Sequence, residues 1–239
     1  MSVLVLGDGL LATEIVKQSN FNYISRKKDG FDIKDKSTYH LMTKVEFGAI
    51  QYCPYKVIIN TIAHTDTYSN NKKDHWNVNY KGVSDLVDFC NNWKIKLVHI
   101  VTDYIYSNSL PNASEIDIPV HCNNWYGYTK LLGDAHVQLK SNNYLLVRGT
   151  HKQIPFKHKK AWVDQKGNFT YVDKTADTIL KLIEKDQKGI FNIGTSIKTI
   201  FELAQQTKKD VEPDTKPKEV PGDLSMNINK LNKFLNDYR

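Results

Sequence analysis

Cysteine is scarce in this sequence. Only three cysteines, Cys53, Cys90 and Cys122, occur among the 239 residues, and they lie far apart. An odd number of cysteines without metal-ligand spacing argues against both a disulfide framework and a structural zinc site. We therefore expect reduced thiols, a cytoplasmic location and no bound metal.

Long hydrophobic runs are also missing. The apolar start of the chain, SVLVLG, is short, has no basic leader and is followed by Asp8. A helix that crosses a membrane needs about 20 mostly apolar residues, so this segment is too short to span one. It has the character of a core strand rather than of a signal peptide, and we expect no membrane partner.

Arginine is rare, although the chain is basic. The formal net charge is +7, and 30 of the 33 basic residues are lysines. A basic chain can indicate a nucleic-acid partner, but these lysines are scattered, and only KHKK at 157–160 forms a cluster. The composition favours a solvated lysine-rich surface and no nucleic-acid partner, with attraction of small phosphorylated ligands as the alternative.

Short apolar segments alternate with helical patterns along the chain. Six of them are predicted strands: SVLVLG (2–7), FNYIS (21–25), KVIINTI (56–62), IKLVHIVT (95–102), NYLLVRG (143–149) and GIFNIG (189–194). Continuous apolar runs suit strands that are buried on both faces, and the alternation indicates a parallel sheet covered by helices. The predicted fold class is α/β, a Rossmann-type doubly wound parallel sheet with a small, trimmed C-terminal substrate-binding lobe.

A glycine-rich turn follows the first predicted strand. The segment GDGLLA (7–12) places Gly7, Gly9 and Ala12 in the G-x-G-x-x-G/A pattern of dinucleotide-binding folds. One glycine permits the tight turn, Gly9 lets the backbone approach a pyrophosphate, and Ala12 lets the helix pack closely on the strand. The pyrophosphate would accept hydrogen bonds from free N–H groups at the helix N-terminus. The alternative is a tight turn without a ligand.

The end of the second predicted strand is basic. It reads SRKK at 25–28, and Arg26 is one of only three arginines in the chain. An acidic residue here would bind the ribose of NAD, whereas a basic residue accommodates the additional phosphate of NADP. The planar guanidinium of Arg26 suits a phosphate. The sequence therefore favours NADPH as the cofactor, with NADH possible.

The composition changes after Arg148, where the chain becomes polar and irregular before a helical pattern returns. We predict an NAD(P)-binding Rossmann domain at 1–150 and a substrate lobe at 151–239. Residues 173–195 are predicted to return to the Rossmann domain, because they contain an amphipathic helix followed by another apolar strand.

Tyr-x-x-x-Lys pairs are frequent in this chain. There are four of them, Tyr23/Lys27, Tyr52/Lys56, Tyr68/Lys72 and Tyr126/Lys130, so the spacing alone identifies nothing. Only Tyr126 begins a predicted helix that follows a strand ending in Thr102. The i,i+4 spacing then places Tyr126 and Lys130 on one face of that helix.

In combination, these motifs resemble the extended short-chain dehydrogenase/reductase superfamily, and within it the dTDP-4-dehydrorhamnose reductases and related NDP-4-keto-6-deoxysugar reductases. The segments that carry the resemblance are GDGLLA (7–12), FDIKD (31–35), IINTIAHT (58–65), NVNYKGVSDLVDFC (77–90), VHIVTDYIYS (98–107), YGYTK (126–130) and VDQKGNFTYVD (163–173). Their order along the chain is more specific than any single segment.

The resemblance implies a catalytic triad of Thr102, Tyr126 and Lys130. Tyr126 would protonate the oxygen of a sugar C4 ketone while the nicotinamide delivers hydride, and Lys130 would lower the pKa of the phenol. The implied cofactor-binding residues are Gly7, Gly9, Leu10, Leu11, Ser25, Arg26, Asp32, Ile33, Thr61, Ala63, Asn79, Tyr126 and Lys130. The implied substrate-binding residues are Thr65, Asp103, Tyr104, His151, Gln165 and Thr170.

The implied function is NADPH-dependent reduction of an NDP-4-keto-6-deoxyhexose to an NDP-6-deoxysugar such as an NDP-rhamnose, by a homodimer. Three positions, Val101, His151 and Phe169, depart from the family pattern, and His151 stands where an aromatic residue helps to line the sugar pocket. An NDP-sugar 4-epimerase and a non-catalytic regulatory subunit remain alternatives. Tyr104 occupies the place of a dehydratase glutamate and argues against a 4,6-dehydratase.

Overall fold

The fold is built on a six-stranded parallel sheet. A computed structural model describes residues 1–46 and 50–238. The strands are β1 (Val3–Leu6), β2 (Asn22–Ile24), β3 (Val57–Asn60), β4 (Lys96–Ile100), β5 (Tyr144–Arg148) and β6 (Gly189–Asn192). Their order is β6–β5–β4–β3–β1–β2, and every pairing is parallel. The predicted fold class is confirmed.

Helices connect these strands. The main α-helices are α1 (Leu10–Ser19), α2 (Gly82–Asn92), α3 (Trp125–Lys140), α4 (Val172–Glu184), α5 (Ile200–Gln205) and α6 (Asn229–Asp237). Single turns of α-helix lie at Arg26–Asp29 and Lys72–His75, and 3₁₀ helices at Lys36–Met42 and Asp103–Tyr106. A π-helical segment, Trp76–Lys81, joins Lys72–His75 to α2 in one continuous helical stretch. None of the helices in these described ranges is long and apolar enough to cross a membrane.

Helices cover both faces of the sheet, and successive residues of a strand point to opposite faces. In β1, Leu4 and Leu6 pack with α2 and α3, whereas Val3 and Val5 pack with α1 and α4. Each inner strand therefore needs apolar residues at consecutive positions. This requirement explains the continuous apolar runs of the sequence.

The chain after β5 forms short strands around a small third core. His151–Lys152 pairs with Thr170–Tyr171, Lys160–Trp162 pairs with Glu212–Asp214, and Lys166–Gly167 lies between Lys198–Thr199 and Asp223–Leu224. The helices α4 and α6 do not belong to this part, since they pack with the core on the α1 face of the sheet. The division into two domains stays a prediction.

A buried ion pair attaches α3 to β5. Arg148 donates two hydrogen bonds of 2.8 Å to the carboxylate of Asp134 and a third to the hydroxyl of Tyr106. Arg148 is 1% exposed and Asp134 is fully buried. Removing either partner would leave an uncompensated buried charge, which is strongly destabilising. The pair therefore fixes the helix that carries Tyr126 and Lys130 relative to the sheet.

The strand order reverses between β1 and β3. From β1 the chain passes to β2 on one side, and β3 lies on the other side. In a doubly wound sheet, such a reversal opens a crevice at the carboxyl ends of the strands, and ligands bind there. The turn after β1 and the ends of β3 and β4 meet at this edge.

Candidate active site

A cavity of about 890 Å³ opens at the carboxyl edge of the sheet. Its wall is formed by the turn after β1, the segments that follow β2 and β3, the end of β4, the first turns of α3 and the segment 149–152 after β5. A volume of this size lies within the range of small-molecule and cofactor sites.

The turn after β1 requires glycine at Gly7. Its φ is +109°, and a Cβ atom at this position would lie 2.8 Å from Oγ1 of Thr61. Thr61 cannot easily withdraw, because its hydroxyl donates a hydrogen bond of 2.7 Å to the carbonyl of Leu6. Gly9 differs, since a Cβ atom there would meet nothing within 4 Å. The space beside Gly9 is therefore open to a ligand.

The N-terminus of α1 faces this space. Gly9 is the N-cap residue and provides no side-chain oxygen, and the first turn of α1 contains no acidic residue. Gly9, Leu10 and Leu11 line the cavity. The first N–H groups of a helix have no partner within the helix, so these groups can bind an anion such as a pyrophosphate.

Basic and acidic groups meet at the end of β2. The guanidinium of Arg26 lies 4.0 Å from the carboxylate of Asp32, and the ammonium of Lys34 lies 3.8 Å from the same oxygen. The Arg26 side chain is 75% exposed, so this contact holds it only weakly. Ser25 caps the helix Arg26–Asp29 by accepting a hydrogen bond of 3.1 Å from the N–H of Lys28.

The sequence around Tyr126 is explained by how α3 begins. Asn124 caps the helix, and its side chain accepts a hydrogen bond of 2.8 Å from the N–H of Gly127. A Cβ atom at Gly127 would overlap the ring of His121. That ring accepts from the N–H of Asn124 at 3.1 Å and contacts the carbonyl of Tyr104 at 2.7 Å. Glycine at this position lets His121 join the start of α3 to the segment after β4.

Tyr126 is half-buried on the cavity wall. Burial raises the pKa of its phenol to about 12; interaction with the Thr102 hydroxyl opposes this shift, and the Asp103 carboxylate adds to it. The pKa of Tyr126 is therefore raised and not lowered as the sequence led us to expect, because burial of the phenol outweighs the interaction with Thr102. The role of Lys130 toward the phenol stays a prediction.

Lys130 is almost completely buried, with 2% exposure. Its ammonium donates a hydrogen bond of 2.6 Å to the carbonyl of Ile100. Burial lowers the pKa of Lys130 to about 8, while the carboxylate of Asp134, one helical turn away, opposes the shift. At neutral pH the ammonium form still predominates, so a cation lines the same cavity as Tyr126.

Aromatic and imidazole rings surround the phenol. The ring of Tyr104 packs edge-on at 6.2 Å from that of Tyr126, and the ring of His75 lies 6.4 Å from it. His75 is fully buried and packs at 4.4 Å against His64, which lines the cavity. Burial lowers the pKa of His75, so its ring is neutral. These contacts restrict the orientation of Tyr126.

Asn79 joins the segment after β3 to α3. Its carbonyl oxygen accepts a hydrogen bond of 2.8 Å from the N–H of His64. Its amide nitrogen donates to the carbonyl of His64 at 3.1 Å and to the hydroxyl of Thr129 at 3.2 Å. Asn79 does not contribute to the cavity wall, so its contacts indicate that it positions other residues.

Most of the predicted site residues come together on the cavity wall. These are Gly7, Gly9, Leu10, Leu11, Ser25, Arg26, Asp32, Ile33, Thr61, Ala63, Thr65, Thr102, Tyr126, Lys130 and His151. Five lie outside it, namely Asn79, Asp103, Tyr104, Gln165 and Thr170. The roles of both groups stay predictions.

The cavity wall also contains residues that sequence reasoning did not select. Examples are Lys34, His64, Asp74 and Lys152. A signal existed for His64, since it belongs to the strand-end segment IINTIAHT. None existed for Lys152, because none of the segments that carried the resemblance contains it.

Comparison with solved structures shows the fold. A hypothetical dTDP-4-dehydrorhamnose reductase from Sulfolobus tokodaii superposes with a TM-score of 0.78 at 22% identity, over 98% of this chain and 94% of the other. For the dTDP-4-dehydrorhamnose reductase of Bacillus anthracis in complex with NADP, the TM-score is 0.78 at 21% identity, over 97% and 92% of the two chains.

A UDP-glucuronic acid 4-epimerase mutant from Bacillus cereus, solved with NAD and a fluorinated substrate analogue, gives a TM-score of 0.76 at 17% identity, over 100% and 94%. No curated protein sequence matches the chain. Residues 1–151 match the family described as the RmlD substrate binding domain. Because this match covers more than half of its length, the chain belongs to the RmlD substrate-binding-domain family, within the extended short-chain dehydrogenase/reductase superfamily.

Proposed function

We propose that the protein is an NADPH-dependent reductase of an NDP-4-keto-6-deoxyhexose, linked to dTDP or UDP. It would convert the C4 ketone to a hydroxyl and give an NDP-6-deoxysugar such as an NDP-rhamnose. One observation carries the proposal: Thr102, Tyr126 and Lys130 lie on the wall of the same cavity as the glycine turn at 7–11. A proton donor and a dinucleotide can therefore act together on one carbonyl group.

The cofactor-binding roles follow from the chemistry of the cavity wall. The open space beside Gly9 and the free N–H groups of α1 fit a pyrophosphate. Ser25 and Arg26 would bind the 2′-phosphate of NADPH. Asp32, Ile33, Thr61 and Ala63 would line the rest of the site, with Asn79 holding the segment after β3 in place. A bound NADPH supplies the hydride for the ketone carbon.

The protein itself would supply the proton. Tyr126 would donate it to the ketone oxygen as the carbon becomes tetrahedral. The raised pKa favours this direction, because the phenol remains protonated at neutral pH. Thr102 would donate a hydrogen bond to the same oxygen, and the Lys130 ammonium would stabilise the phenolate that remains and hold the nicotinamide ribose.

The substrate would occupy the part of the cavity next to Tyr126. Thr65 and His151 line the cavity and would contact the substrate there. Asp103, Tyr104, Gln165 and Thr170 would support it from the next layer. The side chain of Tyr104 is itself held in place by a contact with Tyr68, since the two hydroxyl groups lie 3.3 Å apart. These assignments are proposals for mutagenesis.

A second candidate is an NDP-sugar 4-epimerase, which would keep NAD bound and consume none. The observation that favours it is Asp32, since this carboxylate lies 4.0 Å from Arg26 at the same end of the cavity. An acidic residue there can bind the ribose hydroxyls of NAD. The third reading, a non-catalytic regulatory subunit, does not require Thr102, Tyr126 and Lys130 to line one cavity.

The decisive experiment incubates the protein with dTDP- or UDP-4-dehydrorhamnose and follows NADPH absorbance. We expect one NADPH to be consumed per sugar, and a product heavier by two hydrogen atoms in the mass spectrum. Interconversion of UDP-sugars without net cofactor use would instead establish the epimerase. If the protein turns over neither substrate, and its function in the cell survives Tyr126→Phe, the regulatory subunit is favoured.

We also propose that the protein acts as a cytoplasmic homodimer. The helix α3, beside the cavity, exposes apolar side chains at Tyr128 and Leu139, which are 39% and 79% exposed. A pairing of such helices would cover them. Light scattering on the purified protein measures the oligomeric state, and a monomer at micromolar concentration would refute the dimer.

A further inference from the structure

Lys152 is a cation on the cavity wall to which the proposed mechanism gives no task. It lies on the same wall as Thr102, Tyr126 and Lys130. Its backbone is held in place because the short strand His151–Lys152 pairs with Thr170–Tyr171. The side chain is half-buried, so much of its length is already removed from bulk solvent.

The other cations of the cavity have partners. Lys130 donates to the carbonyl of Ile100, and Arg26 and Lys34 lie within 4.0 Å of Asp32. Within residues 1–46 and 50–238, the Lys152 ammonium makes no ion pair within 4.0 Å and no hydrogen bond. A half-buried charge without a protein partner is unfavourable, and an anion bound in the cavity would compensate it.

The charges around Lys152 are consistent with an anion site. Burial lowers the pKa of Lys152, and the repulsion of Lys157 adds to this shift, while Asp103 opposes it. Asp103 does not take the place of a ligand, because it is 1% exposed and accepts a hydrogen bond of 3.2 Å from Thr102.

We propose that Lys152 binds an oxyanion of the nucleotide-sugar substrate beside the reacting carbonyl group and thereby contributes to substrate specificity. The inference rests on the proposed function, since it assigns the anion to the sugar substrate. Two groups found in nucleotide sugars provide this chemistry: the phosphoryl group attached to the sugar, which the proposed 6-deoxyhexose substrate carries, and the C6 carboxylate of a uronic acid, which it lacks. The exposed Lys157 extends the positive charge outward from Lys152.

The experiment compares wild type with Lys152→Met, which removes the charge, and Lys152→Arg, which retains it. Lys174→Met is the matched control, because Lys174 is exposed on α4 and does not line the cavity. Binding of UDP-glucose, UDP-glucuronate and inorganic pyrophosphate to each variant is measured by titration calorimetry in the presence of NADP⁺. UDP-glucuronate carries a carboxylate at C6, where UDP-glucose carries a hydroxymethyl group, and the two are otherwise identical.

We expect Lys152→Met to weaken binding about tenfold or more, the size of one lost hydrogen bond to a charged group. Lys152→Arg and Lys174→Met should bind like wild type. Equal losses for all three probes identify the phosphoryl group. A loss confined to UDP-glucuronate identifies the carboxylate. Equal affinities of wild type and Lys152→Met, or a wild type that binds none of the probes, overturn the inference.

The failure of this inference is distinguishable from that of the proposed function. If Lys152→Met reduces the ketosugar with an unchanged KM, the anion-binding role of Lys152 is refuted. The proposed reductase activity would still stand. If pyrophosphate binding depends on Lys152 but the protein oxidises no NADPH with the ketosugars tested, the proposed reductase activity is excluded. The anion site at Lys152 would remain supported.

Discussion

Lys130 directs its ammonium to the carbonyl of Ile100, the last residue of β4, at 2.6 Å. Thr102, which interacts with the phenol of Tyr126, follows two residues later. The end of one strand therefore holds both groups that the proposed mechanism places beside Tyr126. Lys130 is thus a buried cation bound to the backbone, and burial raises the pKa of the Tyr126 phenol.

The first prediction concerns the proton donor. Tyr126→Phe should lower the rate of ketosugar reduction by about 10²–10⁴-fold, the usual contribution of a general acid. Its unfolding midpoint should stay near that of wild type, since only the hydroxyl is removed. The control is Tyr128→Phe, because Tyr128 is two residues away and 39% exposed. Equal activity of Tyr126→Phe and wild type would contradict the proposed mechanism.

The second prediction concerns the pH dependence of stability. The pKa of Lys130 is lowered from 10.5 to about 8 by burial, so between these values the unfolded chain binds more protons than the folded one. The free energy of unfolding must then rise with pH across this window. Wild type should gain up to about 3 kcal/mol relative to Lys130→Met from pH ~8 to ~10.5.

Urea denaturation of both proteins at a series of pH values measures this difference. A difference that stays constant from neutral pH upward would show that the Lys130 ammonium is as well stabilised in the folded protein as in water. Light scattering at each pH serves as the control for a change of oligomeric state.

The third prediction separates the two glycines of the turn. Gly7→Ala should destabilise the fold by about 1–3 kcal/mol, because alanine strains a backbone with φ of +109° and its methyl group meets Thr61. Gly9 has a φ of −73° and open space around it. Gly9→Ala should therefore keep its thermal stability and lose NADPH affinity. Thermal denaturation with and without NADPH measures both effects, and retained NADPH affinity in Gly9→Ala would exclude the turn as the pyrophosphate site.

The fourth prediction concerns the choice of cofactor. Arg26→Ala should raise the KM for NADPH about 10–100-fold, the effect of one lost hydrogen bond to a phosphate, and leave the KM for NADH nearly unchanged. Lys27→Ala is the matched control, since Lys27 is exposed and lies outside the cavity wall. If Arg26→Ala weakens NADH as much as NADPH, Arg26 does not bind the 2′-phosphate.

Features that depend on neighbours along the chain could be predicted from the sequence. All six predicted strands lie in the central sheet. The four inner strands could be recognised because a strand that is buried on both faces is mostly apolar along its length. The glycine turn was visible for a similar reason, since a tight strand–helix connection limits which residues fit. Tyr126 could be selected from four Tyr-x-x-x-Lys pairs by its position at the start of a helix.

Other features depend on segments that are distant in sequence, and only the tertiary structure decided them. The raised pKa of Tyr126 results from burial by several segments. The need for glycine at Gly127 comes from His121, which reaches α3 from the preceding loop. The unpaired charge of Lys152 is apparent only once the carboxylates of the folded chain have been located. Periodicity and spacing report which residues can share a strand or a helix, whereas electrostatics and close packing depend on distances that folding creates.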